Sequence, residues 1–222
     1  MTSPYAVPCR FCLQRRDFES GKRFSNISGH KYWLYGVTLK DNREAELSYG
    51  YLLHLIVLYA TSLNLKTVWL IGPFYSNYFN TLLFDEEKEC IPCVSPVGLA
   101  DESGAVQRKR RRKELNELFF VNNLKTPIDE KNAPKIFERK ILEEIKFGPS
   151  AKNYQEWRFV LCESEIHLFG VMGKFTVIDM GICTAQVHVA LCGNGVNGHF
   201  EKRKISFEIP KGCEYFITFV ID

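Results

Sequence analysis

The stretch Gly148–Phe159 reads GPSAKNYQEWRF and contains a helix stop, a polar loop and the start of a strand. Its leading glycine and proline end the preceding helix, because glycine adopts the left-handed cap conformation and proline cannot continue a helix. Ser150, Asn153 and Gln155 then place three neutral hydrogen-bonding side chains close together. Such groups suit the polar edge of a heteroaromatic ring, where a charged side chain would lose more hydration. The alternative is a turn that satisfies its own backbone.

The segments around this loop predict an α+β fold. Ala133–Phe147 has the pattern of an amphipathic helix, with four apolar residues facing inward: Phe137, Ile141, Leu142 and Ile145. Glu114–Phe120 predicts one or two helical turns. Apolar and β-branched runs predict strands over His30–Leu39, Lys66–Ile71, Trp157–Cys162, Glu165–Phe169, Lys204–Pro210 and Glu214–Ile221. Cys90–Val97 is an extended segment interrupted by proline, which suits an edge or irregular strand better than a central one.

Two helices share a pattern that suggests an internal repeat. Glu44–Leu63 is apolar on every face, which is typical of a helix at the centre of a fold. A second helix, Asp179–Gly193, aligns with it at an offset of 131 residues, so that the cap residues Asn64 and Gly195 correspond. We expect two pseudo-repeated halves with a ligand site at the seam between them. The alternative is a chance similarity between two buried helices.

A run of basic residues marks the predicted boundary within the chain. We divide the sequence into a first half over 1–107, a basic linker with a short helix over 108–125, and a second half over 126–222. Arg108–Lys113 reads RKRRRK, which is similar to a nuclear-localisation or nucleic-acid patch. Because no aromatic residues interleave with the run, a solvated linker is the favoured interpretation.

Composition excludes several classes of protein. The 222 residues are 45% hydrophobic and 25% charged, which is typical of a globular domain and excludes a disordered chain. A net charge of +3 is too small to imply a nucleic-acid partner. The eight cysteines come without a secretory leader pattern, so we expect a reducing, cytoplasmic environment. Leu47–Leu65 is uncharged but interrupted by polar residues, which favours a buried helix over a membrane span.

The stretch GPSAKNYQEWRF resembles the flavin-loop motif of the nitroreductase superfamily, A-P-S-x-x-N-x-Q-P-W-R. Other segments resemble one branch of it, the putative TM nitroreductases, which have two related halves in one chain. Gly50–Phe79 is similar to the branch motif G-Y-x-x-E-x-x-x-L-x-x-x-x-L-G-L-x-T-x-W-x-G-G-x-F, and Ile91–Ala100 (IPCVSPVGLA) to its I-P-A-x-S-P-V-G-Y-A. Glu117–Phe120 (ELFF) and Asp179–Ile182 (DMGI) also match. The resemblance extends from about residue 45 to the end of the sequence.

This resemblance implies a nitroreductase-like α+β fold in which an antiparallel-rich sheet packs on central buried helices. It also implies an FMN-dependent oxidoreductase that passes electrons from NADH or NADPH to a nitroaromatic, a quinone or a similar acceptor. The cofactor would carry the hydride, so no side chain need act as a nucleophile. By position, the family's flavin contacts fall on Pro149, Ser150, Ala151, Asn153, Gln155, Trp157 and Arg158 in the loop, and on Gly72 and Pro73 in a turn beside the ring. We expect a monomer or homodimer, with neither a nucleic-acid nor a membrane partner.

Four features depart from the family's pattern. The family holds the FMN phosphate with an N-terminal helix and an R-R-S-x-R motif, whereas Arg15-Arg16 is followed here by Asp-Phe-Glu. Glu156 replaces the proline of Q-P-W, and His54 replaces the glutamate of G-Y-x-x-E. Pro73 replaces the second glycine of G-G and has no N–H to donate. These differences predict weaker FMN binding without loss of the fold.

Two further hypotheses therefore stay open beside the flavoenzyme. One is a degenerate nitroreductase-fold protein without turnover, and the other is an interaction module that uses the basic linker. The resemblance also allows part of the basic run to lie near a bound phosphate.

Two C-x-x-C pairs, Cys9/Cys12 and Cys90/Cys93, raise the question of zinc, which four thiolates can bind tetrahedrally. The pairs are much farther apart in sequence than those of ordinary zinc knuckles. Residues three apart in an extended segment also point to opposite faces. We therefore expect no metal site.

Overall fold

The computed structural model describes residues 2–15, 30–71, 79, 82, 84–99 and 111–222. The chain divides into two compact units, Met1–Lys109 and Arg110–Asp222. In its described residues each unit contains an antiparallel-rich sheet and a long helix that is mostly buried. The predicted α+β class is therefore confirmed.

The described residues of the first unit form five strands and one helix. They are β1 (Arg10–Arg15), β2 (Tyr32–Leu39), α1 (Arg43–Ser62), β3 (Lys66–Thr67), β4 (Glu89–Cys90) and β5 (Val94–Gly98). The strand order is β1-β2-β5-β3, with β4 also paired to β2, and all pairs are antiparallel. Helix α1 begins where the Asn42 side chain accepts a hydrogen bond from the Ala45 N–H at 2.8 Å, as an N-cap does.

Tyr49 attaches helix α1 to this sheet. Its side chain is completely buried. The hydroxyl accepts a hydrogen bond from the Gly36 N–H of β2 at 2.9 Å and donates one to the Cys93 carbonyl at 2.6 Å. Burial, together with the nearby Cys93 thiol, raises the pKa of Tyr49 well above its usual value, so the hydroxyl remains a donor. The buried polar group is thus fully used in fixing the helix to two strands.

The second unit contains three helices and five strands. They are α2 (Leu115–Leu118), β6 (Phe119–Val121), α3 (Arg139–Lys146), β7 (Trp157–Leu161), β8 (Glu165–Val171), α4 (Thr176–Gly193), β9 (Gly198–Glu201) and β10 (Cys213–Ile221). The strand order is β6-β7-β8-β10-β9, in which β6 and β7 are parallel and the other pairs are antiparallel. The paired residues Phe119 and Phe159 stack their rings at 4.6 Å, which ties the short β6 to the core.

Helix α4 packs closely on β8. A Cβ added at Gly170 would lie 2.8 Å from the Thr176 methyl group, so the strand and the helix approach as nearly as glycine allows. Helix α4 is long and apolar enough to cross a membrane, but 67% of it is buried within the protein. Its burial is that of a core helix, since a lipid-facing helix would expose its apolar side chains.

Helix α3 begins later than the amphipathic pattern predicts. Glu138 is the N-cap residue of a helix that starts at Arg139, and its side chain makes no capping hydrogen bond. The preceding residues form a turn in which the Phe137 N–H donates to the Pro134 carbonyl at 3.0 Å. The prediction of its inward-facing residues is nevertheless confirmed, since all four are buried: Phe137, Ile141, Leu142 and Ile145.

Three strand predictions differ from the structure. The strand predicted over Lys66–Ile71 is present only over Lys66–Thr67, with an isolated bridge at Leu70. Lys204–Pro210 forms no strand, because β10 is already paired with β8 on one side and with the unpredicted β9 on the other. Strand β5 lies inside its sheet, between β2 and β3, in spite of Pro96. The ladder to β3 is irregular at the proline, where the Val68 N–H bonds to the Ser95 hydroxyl at 3.2 Å. A side chain therefore compensates for the interrupted strand pairing.

The C-terminal ends of α1 and α4 are alike at the predicted offset. Asn64 and Gly195 both adopt the left-handed conformation. The N–H groups of Leu65 and Val196 donate to the carbonyls of Ala60 and Leu191 at 2.9 and 3.0 Å, the long bond of a Schellman cap. The likeness concerns the helix ends. The full internal repeat and the three-part division of the chain stay predictions.

Candidate functional site

The GPSAKNYQEWRF segment forms a tight loop between α3 and β7. Helix α3 is capped at Phe147, as the Gly-Pro pair predicts, and a 3-10 turn covers Ala151–Asn153. Lys152, Asn153 and Gln155 have φ values of +50°, +59° and +51°. Left-handed backbone at non-glycine residues costs about 1 kcal/mol or more each, so surrounding contacts must hold this loop in place.

Asp179 supplies one of those contacts. It lies in the first turn of α4 and is only 3% exposed. Its two carboxylate oxygens lie 3.0 and 3.1 Å from the Ala151 N–H. Within the loop, the Gln155 N–H donates to the Ser150 hydroxyl at 3.0 Å. A buried carboxylate and an internal bond thus fix the backbone that carries the predicted site residues.

The last residues of the basic run lie against this loop. The Arg112 guanidinium donates to the Asn153 side-chain oxygen at 2.7 Å and to the Phe147 carbonyl at 2.9 Å. The Asn153 amide nitrogen donates to the Arg111 carbonyl at 2.7 Å. This end of the run is therefore hydrogen-bonded to the loop, and its interpretation as a linker stays a prediction. Arg108–Arg110 lie outside the described residues.

Gln155 connects the loop to Lys113 in both directions. Its side chain is 3% exposed, and its side-chain oxygen accepts from the Lys113 N–H at 2.9 Å. The Lys113 ammonium donates in turn to the Gln155 carbonyl at 3.2 Å, and Arg158 donates to the same oxygen at 3.2 Å. Burial and the positive charge of Arg158 lower the pKa of Lys113. Two cations thus share one backbone oxygen beside the loop.

These residues line a cavity of about 350 Å³. Its walls carry three cationic, two anionic and two amide side chains: Arg111, Arg112, Lys113, Glu114, Glu117, Asn153 and Gln155. Ligand pockets usually measure about 300–1,000 Å³, so this one is of sufficient size. A second cavity of about 630 Å³, lined by α2, α3 and the segment between β6 and α3, contains none of the predicted site residues.

The structure brings most of the predicted cofactor contacts together. Pro149, Ser150 and Ala151 are partly buried in the loop, next to Asn153 and Gln155. Arg158 is the second residue of β7 and bonds back to the loop. Gly72 and Pro73 lie outside the described residues.

Trp157 is placed differently from the polar residues of the loop. It is 1% exposed, and its indole N–H has no hydrogen-bond partner among the described residues. Its paired position on β7, opposite Gly170, makes it part of the sheet core. A polar group buried in this way is costly unless something bonds it.

Sequence reasoning missed three residues of this site. Arg112 and Lys113 lie in a run that resembles many solvated linkers, and Asp179 lies in an apolar helix pattern. The DMGI match marked Asp179, but no local pattern shows that its partner is Ala151, 28 residues away. These roles depend on contacts between distant parts of the sequence.

The cysteines of the first C-x-x-C pair, Cys9 just before β1 and Cys12 within it, contact different residues. The Cys9 thiol donates to the Thr38 hydroxyl at 3.4 Å, whereas Cys12 packs against the cluster of Trp33, Tyr35, Phe79 and Val94. In the described parts of the chain, no group of three or more His, Cys, Asp or Glu residues is placed to hold a metal ion. The expectation of no metal site stays a prediction.

Comparisons with known proteins agree with the motif. The sequence model of a family described as "Putative TM nitroreductase" matches residues 6–191, which adds β1 and β2 to the region of resemblance. A crystal structure described as a putative nitroreductase from Thermotoga maritima superposes with a TM-score of 0.67. It shares 16% sequence identity, and the alignment covers 100% of this chain and 79% of that one. Because the sequence identity is low, the superposition is evidence for a shared fold alone. No curated protein matches the chain.

The family match covers most of the sequence, the superposition shows the same fold, and the motif that carries the resemblance forms a fixed loop beside a cavity. The chain therefore belongs to the putative TM nitroreductase family.

Proposed function

We propose that this protein is an FMN-dependent oxidoreductase that transfers electrons from NADH or NADPH to nitroaromatics, quinones or similar acceptors. Family membership supports a nitroreductase-type oxidoreductase in general. The observation that carries the proposal further is the rigid loop of Ser150–Gln155, whose two amide side chains line the cavity.

The residues of the loop fit FMN in their chemistry. The Asn153 and Gln155 side chains each use one N–H and one oxygen lone pair on protein partners. A carboxamide has two of each, so one donor and one acceptor remain on either side chain for the polar edge of a flavin ring. The nearby cations suit the negative charge of a phosphate and of a reduced flavin.

In this proposal the chain orients the cofactor and sets its electrostatic surroundings. Bound FMN would supply the hydride chemistry between the nicotinamide and the acceptor. Asn153 and Gln155 would bond the ring, and Asp179 would keep their loop in position through Ala151. Arg158 and Lys113 would favour negative charge beside the ring. Trp157 would support β7 from within the core.

The first test is a visible absorption spectrum of the purified protein, with mass spectrometry of any molecule that heat releases. The proposal predicts a flavin spectrum and released FMN, or uptake of FMN by colourless protein. Reduction of a nitroaromatic or quinone by NADH or NADPH should then require the flavin. A protein that neither contains nor takes up FMN would overturn the proposal.

A second candidate is a nitroreductase-fold protein without turnover. It is favoured by hydrogen bonds within the protein that already engage the side-chain oxygen and the side-chain nitrogen of both Asn153 and Gln155. Glu156 also places a negative charge next to the loop. This candidate predicts a folded protein that binds flavin weakly and reduces no acceptor when saturated with FMN.

A further inference from the structure

The cations beside the loop are hydrogen-bonded to neutral acceptors. Lys113 and Arg158 donate to backbone carbonyl oxygens, and neither forms an ion pair with any carboxylate of the described residues. A carbonyl oxygen holds a cation in place without neutralising it. The charge therefore remains available to a ligand in the cavity.

Arg111 is the side chain best placed to use this charge. It is exposed, lines the cavity, and donates to no acceptor in the described part of the chain. Its backbone is fixed, because the Arg111 carbonyl accepts the 2.7 Å hydrogen bond from Asn153. An anchored residue with an unused guanidinium can bind an oxyanion through two parallel N–H groups.

The carboxylates near the cavity offset part of this charge, since Glu156 and Glu117 raise the pKa of Lys113 against the larger effects of burial and Arg158. Glu114 and Glu117 are both exposed, and the Glu117 carboxylate accepts from the Glu114 N–H at 2.7 Å. Neither forms an ion pair with the cations in the described structure.

We propose that Arg111 and Lys113 form an oxyanion-binding site, which takes a phosphate or carboxylate group of a ligand held at the Ser150–Gln155 loop. The proposal rests on the proposed function, because the loop is where the flavin and the acceptor would bind. The anionic group has two possible sources: the phosphate of FMN, or a carboxylate of the electron acceptor.

Two matched ligand pairs separate these sources. FMN and riboflavin differ by the phosphate, and 4-nitrobenzoate and 4-nitrobenzamide differ by the charge on groups of nearly equal size. Dissociation constants are measured by flavin fluorescence for the first pair and by calorimetry for the second. The wild-type protein is compared with Arg111→Ser, Arg111→Lys and Lys152→Asn. The serine keeps the carbonyl that bonds Asn153, and Lys152 is an exposed cation of the same loop that does not line the cavity.

We expect at least one anionic ligand to bind about tenfold more tightly than its neutral counterpart, as one charge-assisted hydrogen bond provides. The preference should fall with added salt, disappear in Arg111→Ser, and remain in Arg111→Lys and Lys152→Asn. A preference in the flavin pair identifies the cofactor phosphate, and one in the nitro pair identifies the acceptor.

Equal binding within both pairs, or a preference that survives in Arg111→Ser, would overturn the oxyanion site. The proposed function is tested separately by the flavin itself. If FMN and riboflavin both bind and support reduction with equal affinity, the function stands and the oxyanion site for FMN fails. If neither flavin binds, calorimetry with 4-nitrobenzoate still decides whether the Arg111 site exists.

Discussion

His167 is a buried titratable residue in the second sheet. Its Nδ1 lies 2.7 Å from the Thr218 hydroxyl, and its Nε2 lies 3.5 Å from the Glu165 carboxylate and 3.7 Å from the Cys162 thiol. Burial lowers the pKa of His167, Glu165 opposes this shift, and Arg203 adds to it. Burial also lowers the pKa of His188 in α4. The folded protein therefore keeps both imidazoles neutral at pH values where the unfolded chain protonates them.

The free energy of unfolding should fall as the pH drops below the ordinary histidine value of 6.5. The reason is that the unfolded state then binds more protons than the folded state, with a slope of at most about 1.4 kcal/mol per pH unit for each histidine. Urea unfolding, repeated at intervals of about one pH unit between pH 5 and 8, measures the effect. His167→Asn should reduce the slope, and the exposed His199 provides the control substitution. Stability that rises toward acid pH would contradict the assignment.

Asn153 joins the basic segment to the predicted flavin loop. Asn153→Ala removes the acceptor for Arg112 and the donor to the Arg111 carbonyl. We expect lower flavin occupancy in the purified protein and a loss of about 1–2 kcal/mol in the free energy of unfolding, since two hydrogen bonds disappear. Absorbance after saturation with FMN and urea unfolding measure the two effects.

The control is Asn116→Ala, on an exposed residue of α2. Unchanged occupancy in Asn153→Ala would mean that this side chain serves only the fold.

At the scale of elements, the link between α4 and the loop is the contact most open to a direct test. Asp179→Ala leaves the Ala151 N–H without its carboxylate acceptor, and we expect a loss of about 1–3 kcal/mol. Asp179→Asn keeps one acceptor oxygen in the same shape and should lose less. Urea unfolding measures stability, and hydrogen exchange of the Ala151 amide reports on the loop itself.

Glu163→Ala, in the exposed turn after β7, provides the control for removal of a carboxylate. An Ala151 amide that exchanges equally slowly in Asp179→Ala would show that other contacts hold the loop.

The two helix caps allow a comparison between elements. Gly195 has φ +78°, and a Cβ there would meet nothing within 4 Å, so Gly195→Ala changes only the backbone preference. We expect it to cost about 1 kcal/mol. Asn64→Ala should cost somewhat less, because asparagine already carries a side chain in the left-handed conformation at φ +59°. Asn64→Gly should be neutral or stabilising.

Thermal or urea unfolding of the three variants measures these differences. A stabilising Gly195→Ala would mean that the cap does not persist in solution.

At the scale of the whole molecule, the protonation of the cysteine thiols affects whether a bound metal can contribute to stability. Burial raises the pKa values of Cys9, Cys12 and Cys90, which opposes the thiolate form that zinc requires. We therefore expect a chelator to leave the thermal unfolding midpoint unchanged. Differential scanning calorimetry with and without EDTA tests this, and calcium-saturated EDTA controls for added salt. A large decrease would indicate a structural metal.

Local patterns were sufficient for many elements. Helix α1 was predicted over Glu44–Leu63 and runs over Arg43–Ser62, because its apolar periodicity and its caps lie within the segment itself. The same holds for β7, β8 and β10, whose largely apolar runs end at turn residues. Local patterns were insufficient where strand formation depends on a free edge of a neighbouring strand. Lys204–Pro210 has the composition of a strand, but β9 occupies the edge of β10 that it would need.

The sequence by itself determined the α+β class, the two buried helices, the family, and the loop that holds Ser150, Asn153 and Gln155. Only the tertiary structure decided what surrounds that loop. Arg112 and Lys113 reach it across 41 and 42 residues, and Asp179 reaches it across 28. Helix periodicity and turn chemistry act over a few neighbouring residues, so they determine the elements. The pairing of distant polar groups depends on how those elements pack, and no local pattern encodes it.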